Sequence, residues 1–215
     1  MGALAGKMMH PTQVPGIFRI PGRLVLSPDS LGPWGYLVVR GDTAVLVDVP
    51  YHSNELEAAI RQHAPGGVSH LLLTHDDFVN MSNHTEWRRS FPDLVRVAHS
   101  GDTRDPVEME LQGNGPWEVG DFRADHVPGH SRGSVFYSNS ELSVVFTGDS
   151  LGFWSKPTAF PAFCRFGRAR LAASLRGFAA SHFHKHLLPG HGQAMYFTKK
   201  GPWQEAFEQA AKELE

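Results

Sequence analysis

The sequence predicts an α/β protein in which two β-then-α halves are built around one core, and three observations predict it. In each half, short apolar runs of β character precede an amphipathic helical stretch. No Pro-, Gly- or Ser-rich linker separates the halves, and no short-period repeat is present. The 215 residues are about 1.4 times the roughly 150 of a typical domain, which favours one domain over residues 1–215.

The elements follow in order. Residues 17–20, 24–26, 35–40 and 44–49 read as strands, and Arg40-Gly41-Asp42-Thr43 supplies the Gly and Asp of a tight antiparallel turn. Ser53 is a helix N-cap without a full capping box, since Leu56 and not Glu stands three residues on. Leu56, Ala59, Ile60 and His63 recur at helical spacing until Pro65-Gly66-Gly67 stops the run. Residues 68–73 form an apolar strand that delivers Thr74-His75-Asp76-Asp77 at its C-terminal edge, where polar side chains are held rigidly. A short helix is expected over 83–90 and a strand over 95–99. Further strands are expected over 117–119, 122–127, 134–138 and 142–146. Residues 168–181 read as a helix with Leu171, Ala172, Leu175 and Phe178 on one face. Leu187-Leu188 is a short strand, and residues 203–214 close the chain as an amphipathic helix.

Composition excludes several classes. Hydrophobic residues at 41% together with 22 Gly make about half the chain apolar, which is globular and not disordered. Twenty Lys and Arg against 22 Asp and Glu leave a formal charge of −2 without a long basic stripe, so a nucleic-acid partner is not expected. The single Cys164 excludes an intrachain disulfide and a Cys-rich zinc module and reads as a small buried hydrophobe. No run approaches the ~18 to 20 apolar residues of a membrane span. The first six residues lack an apolar signal core and the Ser or Thr of a myristoylation site, so a cytoplasmic location is expected, or the plastid stroma if a transit peptide has been removed. The expected partner is a small-molecule substrate, with the oligomeric state open. Thirteen His in a near-neutral chain make metal chemistry the first question.

Four fragments carry that chemistry: Thr74-His75-Asp76-Asp77, Val127-Pro128-Gly129-His130-Ser131-Arg132-Gly133-Ser134, Phe146-Thr147-Gly148-Asp149-Ser150 and Leu188-Pro189-Gly190-His191-Gly192. Each sets a His or Asp directly after an apolar strand, and neighbouring Gly lets the backbone turn so that ligand atoms can converge on an ion. In their order and wording these fragments resemble the metallo-beta-lactamase superfamily, in particular its glyoxalase II-like members. The likeness runs from Asp48, similar to the family's early Asp, to the late Pro-Gly-His-Gly. It implies an αββα sandwich, two mixed β-sheets flanked by helices, with a site at one edge of the sheets. It further implies a hydrolase of a small ester, thioester or lactone, in which metal-activated water attacks a carbonyl.

The first motif departs from the family's His-x-His-x-Asp-His, because the matching positions read His75, Asp77, Val79 and Asn80. Carried over residue by residue, metal site 1 maps to His75, Asp77 and His130, site 2 to Val79, Asn80 and His191, and Asp149 bridges. Asp77 can serve as a site 1 ligand and, with Asp149, as a catalytic carboxylate. His84, displaced downstream, is a candidate to rebuild site 2. An Asp pair followed by a displaced His also resembles a plastid and cyanobacterial branch of the superfamily. A carboxylate in place of an imidazole lowers the positive charge felt by bound water and favours harder ions, so one or two divalent ions are expected, zinc first with iron or manganese in competition. Two alternatives stay open: an eroded binding or regulatory protein that holds no metal, and a non-haem iron redox protein, since a carboxylate at this position is similar to flavodiiron members.

The remaining candidates carry bland readings beside functional ones. Arg132 is a substrate-binding candidate for an anionic group, or a surface Arg. Phe153, Trp154, Phe160, Phe163 and Phe166 could line an apolar substrate pocket, with Phe153 and Trp154 nearest the site motif, or pack in the core. Asp76 reads first as a turn residue. His182, His184 and His186 alternate in an extended stretch and read as a solvated face.

Overall fold

The computed structural model describes residues 8–22, 32–49, 51–76, 84–159 and 164–215. Seven strands form the first sheet in sequence order: β1 (His10–Pro11), β2 (Ile17–Pro21), β3 (Trp34–Arg40), β4 (Thr43–Val47), β5 (Gly67–Leu72), β6 (Val95–His99) and β7 (Met109–Leu111). Pairing is antiparallel from β1 to β4 and parallel from β4 to β7. The second sheet contains β8 (Trp117–Val119), β9 (Phe122–His126), β10 (Val135–Asn139), β11 (Val144–Gly148), β14 (His186–Pro189) and β15 (Met195–Tyr196), in the order β15-β14-β11-β10-β9-β8. Only its β11–β14 pair is parallel. β12 (Gly152–Phe153) and β13 (Pro157–Thr158) pair separately.

Period-2 alternation sorts the side chains into layers. Tyr36, Val38, Val45 and Val47 of the first sheet meet Phe122, Tyr137, Val144 and Phe146 of the second in the central layer. Leu37, Leu46 and Leu71 face the other way, against α1 (Asn54–His63) and α2 (His84–Ser90) through Leu56, Ile60 and Trp87. Phe136, Val145 and Leu187 likewise pack under α3 (Arg168–Ser181) and α4 (Lys200–Lys212) through Leu175, Phe178, Trp203 and Phe207. Each such large apolar side chain contributes about 1.5–3 kcal/mol on burial. The layers are helix, sheet, sheet, helix, so the expected αββα sandwich is what the chain forms.

Ser53 caps α1 by accepting the Leu56 N–H at 3.1 Å. The strand expected to reach residue 49 ends at Val47, because Asp48 takes a left-handed φ of 47°. The last helix starts at Lys200, three residues before the expected position. Pro202 stands in its first turn, where a missing N–H costs no helical bond. β1, β7, β12, β13 and β15 run two or three residues each, too short to show a period. The strand expected at 24–26 lies outside the described residues.

The His182, His184 and His186 stretch is not the solvated face expected from sequence. The His182 ring stacks on Phe178 at 4.5 Å, and His184 is buried between Phe178 and Trp203. Its Nε2 has no hydrogen-bond partner among the described residues, and burial, with His182 nearby, pushes its pKa down to about 4.

Candidate metal site

Four strand ends build the site. β5 delivers Thr74 and His75, β11 delivers Asp149, the turn between β9 and β10 delivers His130, and β14 delivers His191. The two sheets are tied together here: Val135 N–H donates to Thr74 O at 2.8 Å, the Tyr137 hydroxyl to Leu73 O at 3.2 Å, and the Tyr36 hydroxyl to Pro189 O at 2.6 Å. Strand ends in register need no loop ordering to hold their side chains.

His75, His130 and Asp149 are all buried, and each offers one ligand atom within 4.8 Å of the other two. The His75 and His130 rings meet edge-on, with centroids 4.9 Å apart. Asp149 Oδ2 lies 3.5 Å from His75 Nε2 and 3.2 Å from His191 Nε2. Asp149 Oδ1 is buried and has no hydrogen-bond partner among the described residues. Burial alone would raise the Asp149 pKa, but the facing His75 and His191 hold it well below the usual carboxylate range. Two imidazoles, a carboxylate with an unused oxygen, and a third imidazole beside it make a donor set that fits a divalent ion.

Supporting groups aim these ligands. Asp48 Oδ2 accepts the Thr74 hydroxyl at 2.5 Å and its Oδ1 accepts the Thr74 N–H at 2.8 Å. The Thr74 oxygen lies 2.8 Å from His75 Nδ1. Since the Thr74 hydroxyl donates to Asp48, His75 Nδ1 donates to the Thr74 oxygen, which leaves Nε2 as the ring nitrogen that faces Asp149 and is free to take an ion. Full burial pushes the Asp48 pKa up to about 6, against the favourable effects of His75 and Thr74. On the other side, buried Asp102 accepts the Gly133 N–H at 2.8 Å and the Ser131 hydroxyl, clamping the turn that carries His130. The sequence does not single out Asp102: its one local signal is a Gly-Asp-Thr turn, and only the structure shows the carboxylate buried. Gly148 and Gly190 stand where backbones touch. A Cβ on Gly190 would lie 2.3 Å from Asp149 Oδ1, and one on Gly148 2.1 Å from the Thr74 hydroxyl.

Several candidates stand elsewhere. Asp77, Phe160 and Phe163, like Val79 and Asn80, lie outside the described residues. His84 is not with the cluster: at the start of α2 its Nδ1 lies 3.0 Å from Arg96 Nη1, and its Nε2 lies 3.7 Å from Asp105 Oδ2. Its place is set by the buried guanidinium of Arg96, which needs acceptors around it. Asp76 follows His75 but turns outward to Arg104 and Arg165, which lower its pKa against partial burial. The Trp154 ring lies 6.4 Å from His191. Phe153 packs on the outer core of the second sheet, and its backbone N–H donates to His191 O. Arg132 is exposed, with its Cζ 5.2 Å from the Phe166 ring centre. Cys164 is half-buried against the outer core of the second sheet.

No protein-family model matches the chain, and no curated protein does. Solved structures do. A metallo-beta-lactamase from Erythrobacter litoralis is 18% identical with a TM-score of 0.70, covering 93% of this chain and 91% of its own. The structure titled VMB-1 is 15% identical at TM-score 0.74 over 95% and 99%. The metallo-beta-lactamase FIM-1 from Pseudomonas aeruginosa, in a mono-zinc form, is 18% identical at TM-score 0.72 over 95% and 93%. The chain therefore has the metallo-beta-lactamase fold, with a candidate metal cluster at the edge of its two sheets. Among the described residues no helix is long and apolar enough to cross a membrane.

Proposed function

We propose that the protein is a metal-dependent hydrolase of a small ester, thioester or lactone, glyoxalase II-like in its chemistry. The observation that carries this reading is the convergence of His75, His130 and Asp149 around one point, with Asp149 Oδ1 unused. These three would hold a divalent ion, with His191 as the adjoining donor and Asp77 as a further ligand from the segment after His75. When bound, the ion supplies Lewis acidity, activating water near neutral pH and polarising a carbonyl.

The chain's own groups do the rest. Thr74 and Asp48 fix the tautomer of His75, so its Nε2 faces the site without reorganisation. The Asp149 carboxylate, which would hold the ion, would also orient the attacking water, and Asp77 would serve as a second catalytic carboxylate. Trp154, whose ring lies 6.4 Å from that of His191, would form the apolar wall for the acyl group, with Phe153 next to it in sequence as the second candidate.

The place of His84 beside Arg96 favours one ion over two, in keeping with the mono-zinc form in which one structural neighbour was solved. Zinc is the first candidate; a carboxylate from Asp77 in place of an imidazole would favour iron or manganese.

Elemental analysis of protein purified without chelator tests the reading, beside Asp149→Ala, His130→Ala and His84→Gln. About one equivalent of zinc, iron or manganese, lost in the first two variants and kept in the third, is expected, with hydrolysis of ester, thioester or lactone probes tracking the metal. Protein that is metal-free and takes up none of the three ions overturns it and leaves a binding protein on the same fold.

A further inference from the structure

We propose that the substrate of this site is an anion, an ester or thioester whose free end carries a carboxylate or phosphate, gripped by Arg132 and Arg170 beside Phe166. The inference rests on the hydrolase reading and adds the charge of the substrate to it.

Position comes first. Arg132 stands two residues after His130. The next segment docks on the same turn, with Arg165 N–H donating to His130 O at 2.9 Å and Phe166 N–H to Gly129 O at 3.0 Å. There is no room for a Cβ on Gly129, because Leu171 of α3 sits against it. Arg165, Arg168 and Arg170 therefore ride on the backbone that carries His130. Arg104 and Arg165 both reach Asp76, the neighbour of His75.

Charge is segregated here. Elsewhere in the chain Arg40, Arg61, Arg88, Arg96, Arg123 and Arg176 each face a carboxylate. Among the described residues, five guanidiniums around the His130 turn share Asp76 alone, since Asp102 is buried against Ser131 and Gly133, and Asp105 faces His84. Exposed Arg132 and Arg170 have no acidic partner among the described residues, in a chain whose net charge is −2. A cluster of like charges has a cost when nothing answers it, and an anionic ligand answers it.

Geometry gives the grip. The Cζ atoms of Arg132 and Arg170 lie 5.2 and 5.0 Å from the Phe166 ring centre. An aromatic partner steadies a guanidinium while leaving its N–H donors for a ligand, and a fork of donors matches the two oxygens of a carboxylate or phosphate.

The test titrates inorganic phosphate by calorimetry into the wild type, Arg132→Ala/Arg170→Ala, and Lys199→Ala/Lys212→Ala, which removes the same charge from exposed sites elsewhere. In parallel, a neutral acetyl thioester is compared with its succinyl counterpart. Phosphate affinity should fall about tenfold in the Arg double variant and hold in the Lys control. The succinyl thioester should lose kcat/KM through KM, by about tenfold more than the acetyl thioester does. Phosphate binding equally to wild type and Arg variant, or a succinyl preference that survives the substitutions, overturns the proposal. Turnover of both thioesters with no effect of the Arg variant sinks the anion site and keeps the hydrolase reading. Phosphate binding lost with the arginines, but no turnover of either thioester, sinks the hydrolase reading and keeps the anion site.

Discussion

Asp48 accepts both the backbone N–H and the hydroxyl of Thr74, 26 residues later in the chain, so a carboxylate at the end of one strand fixes the ligand-bearing end of its neighbour. Removing it in Asp48→Ala strands two buried donors and frees the His75 ring. A loss of about 3 kcal/mol of stability is expected from the unmet donors. Metal affinity should fall about 10- to 100-fold, as for other groups that orient a ligand. Urea unfolding of metal-free protein and a chelator competition read the two effects separately. Unchanged metal affinity would mean that His75 needs no orienting partner.

Gly190→Ala is the sharper probe of Asp149. The added methyl would meet Asp149 Oδ1 at 2.3 Å and the Gly148 backbone at 3.0 Å, so the carboxylate must move. Metal content should collapse while the far-ultraviolet circular dichroism of the two sheets stays native. Full metal occupancy in this variant would remove Asp149 from the ligand set.

Asp102 is expected to act on His130 through the turn it clamps. Asp102→Ala leaves the Gly133 N–H and the Ser131 hydroxyl without their buried acceptor, and about 2 kcal/mol of stability should be lost. Weaker metal binding should accompany it, with partial recovery in Asp102→Asn, whose amide oxygen restores one acceptor. Equal loss in both variants would point to the charge and not the hydrogen bonds.

The pH dependence of stability should carry the mark of His184. Its pKa lies at about 4 in the folded protein, below the ordinary 6.5, because burial disfavours the charged ring and His182 adds to this, against the weaker pull of Asp125. A lowered folded-state value means that its contribution is fully present above about pH 6.5 and is lost as the pH falls towards 4, by about 3 kcal/mol in all. Denaturant unfolding from pH 7 to pH 4 should show that part of the slope vanish in His184→Leu. An identical slope in wild type and variant would assign the acid sensitivity to other groups.

Much of the sandwich is written in local signals. The helix from Asn54 to His63 is announced by Ser53 and by apolar spacing, and the turn at Gly41-Asp42 by its residues, since both depend on neighbours close in sequence. His75, His130, Asp149 and His191 are legible as candidates because each follows an apolar run, and the last three stand directly beside a turn-forming Gly. The two-residue strands are not legible, for a period needs several residues to appear.

By itself the sequence determined the layer pattern and the order in which its ligand-bearing turns occur, because hydrophobic alternation and turn chemistry act over a few residues. Only the tertiary structure decided which side chains share the site. It set His84 against Arg96 and away from the cluster, because a buried guanidinium must be surrounded by acceptors, and it buried His184 between Phe178 and Trp203. It also recruited Asp48 and Asp102 to hold Thr74 and Ser131, contacts that span 26 and 29 residues and depend on how two sheets meet.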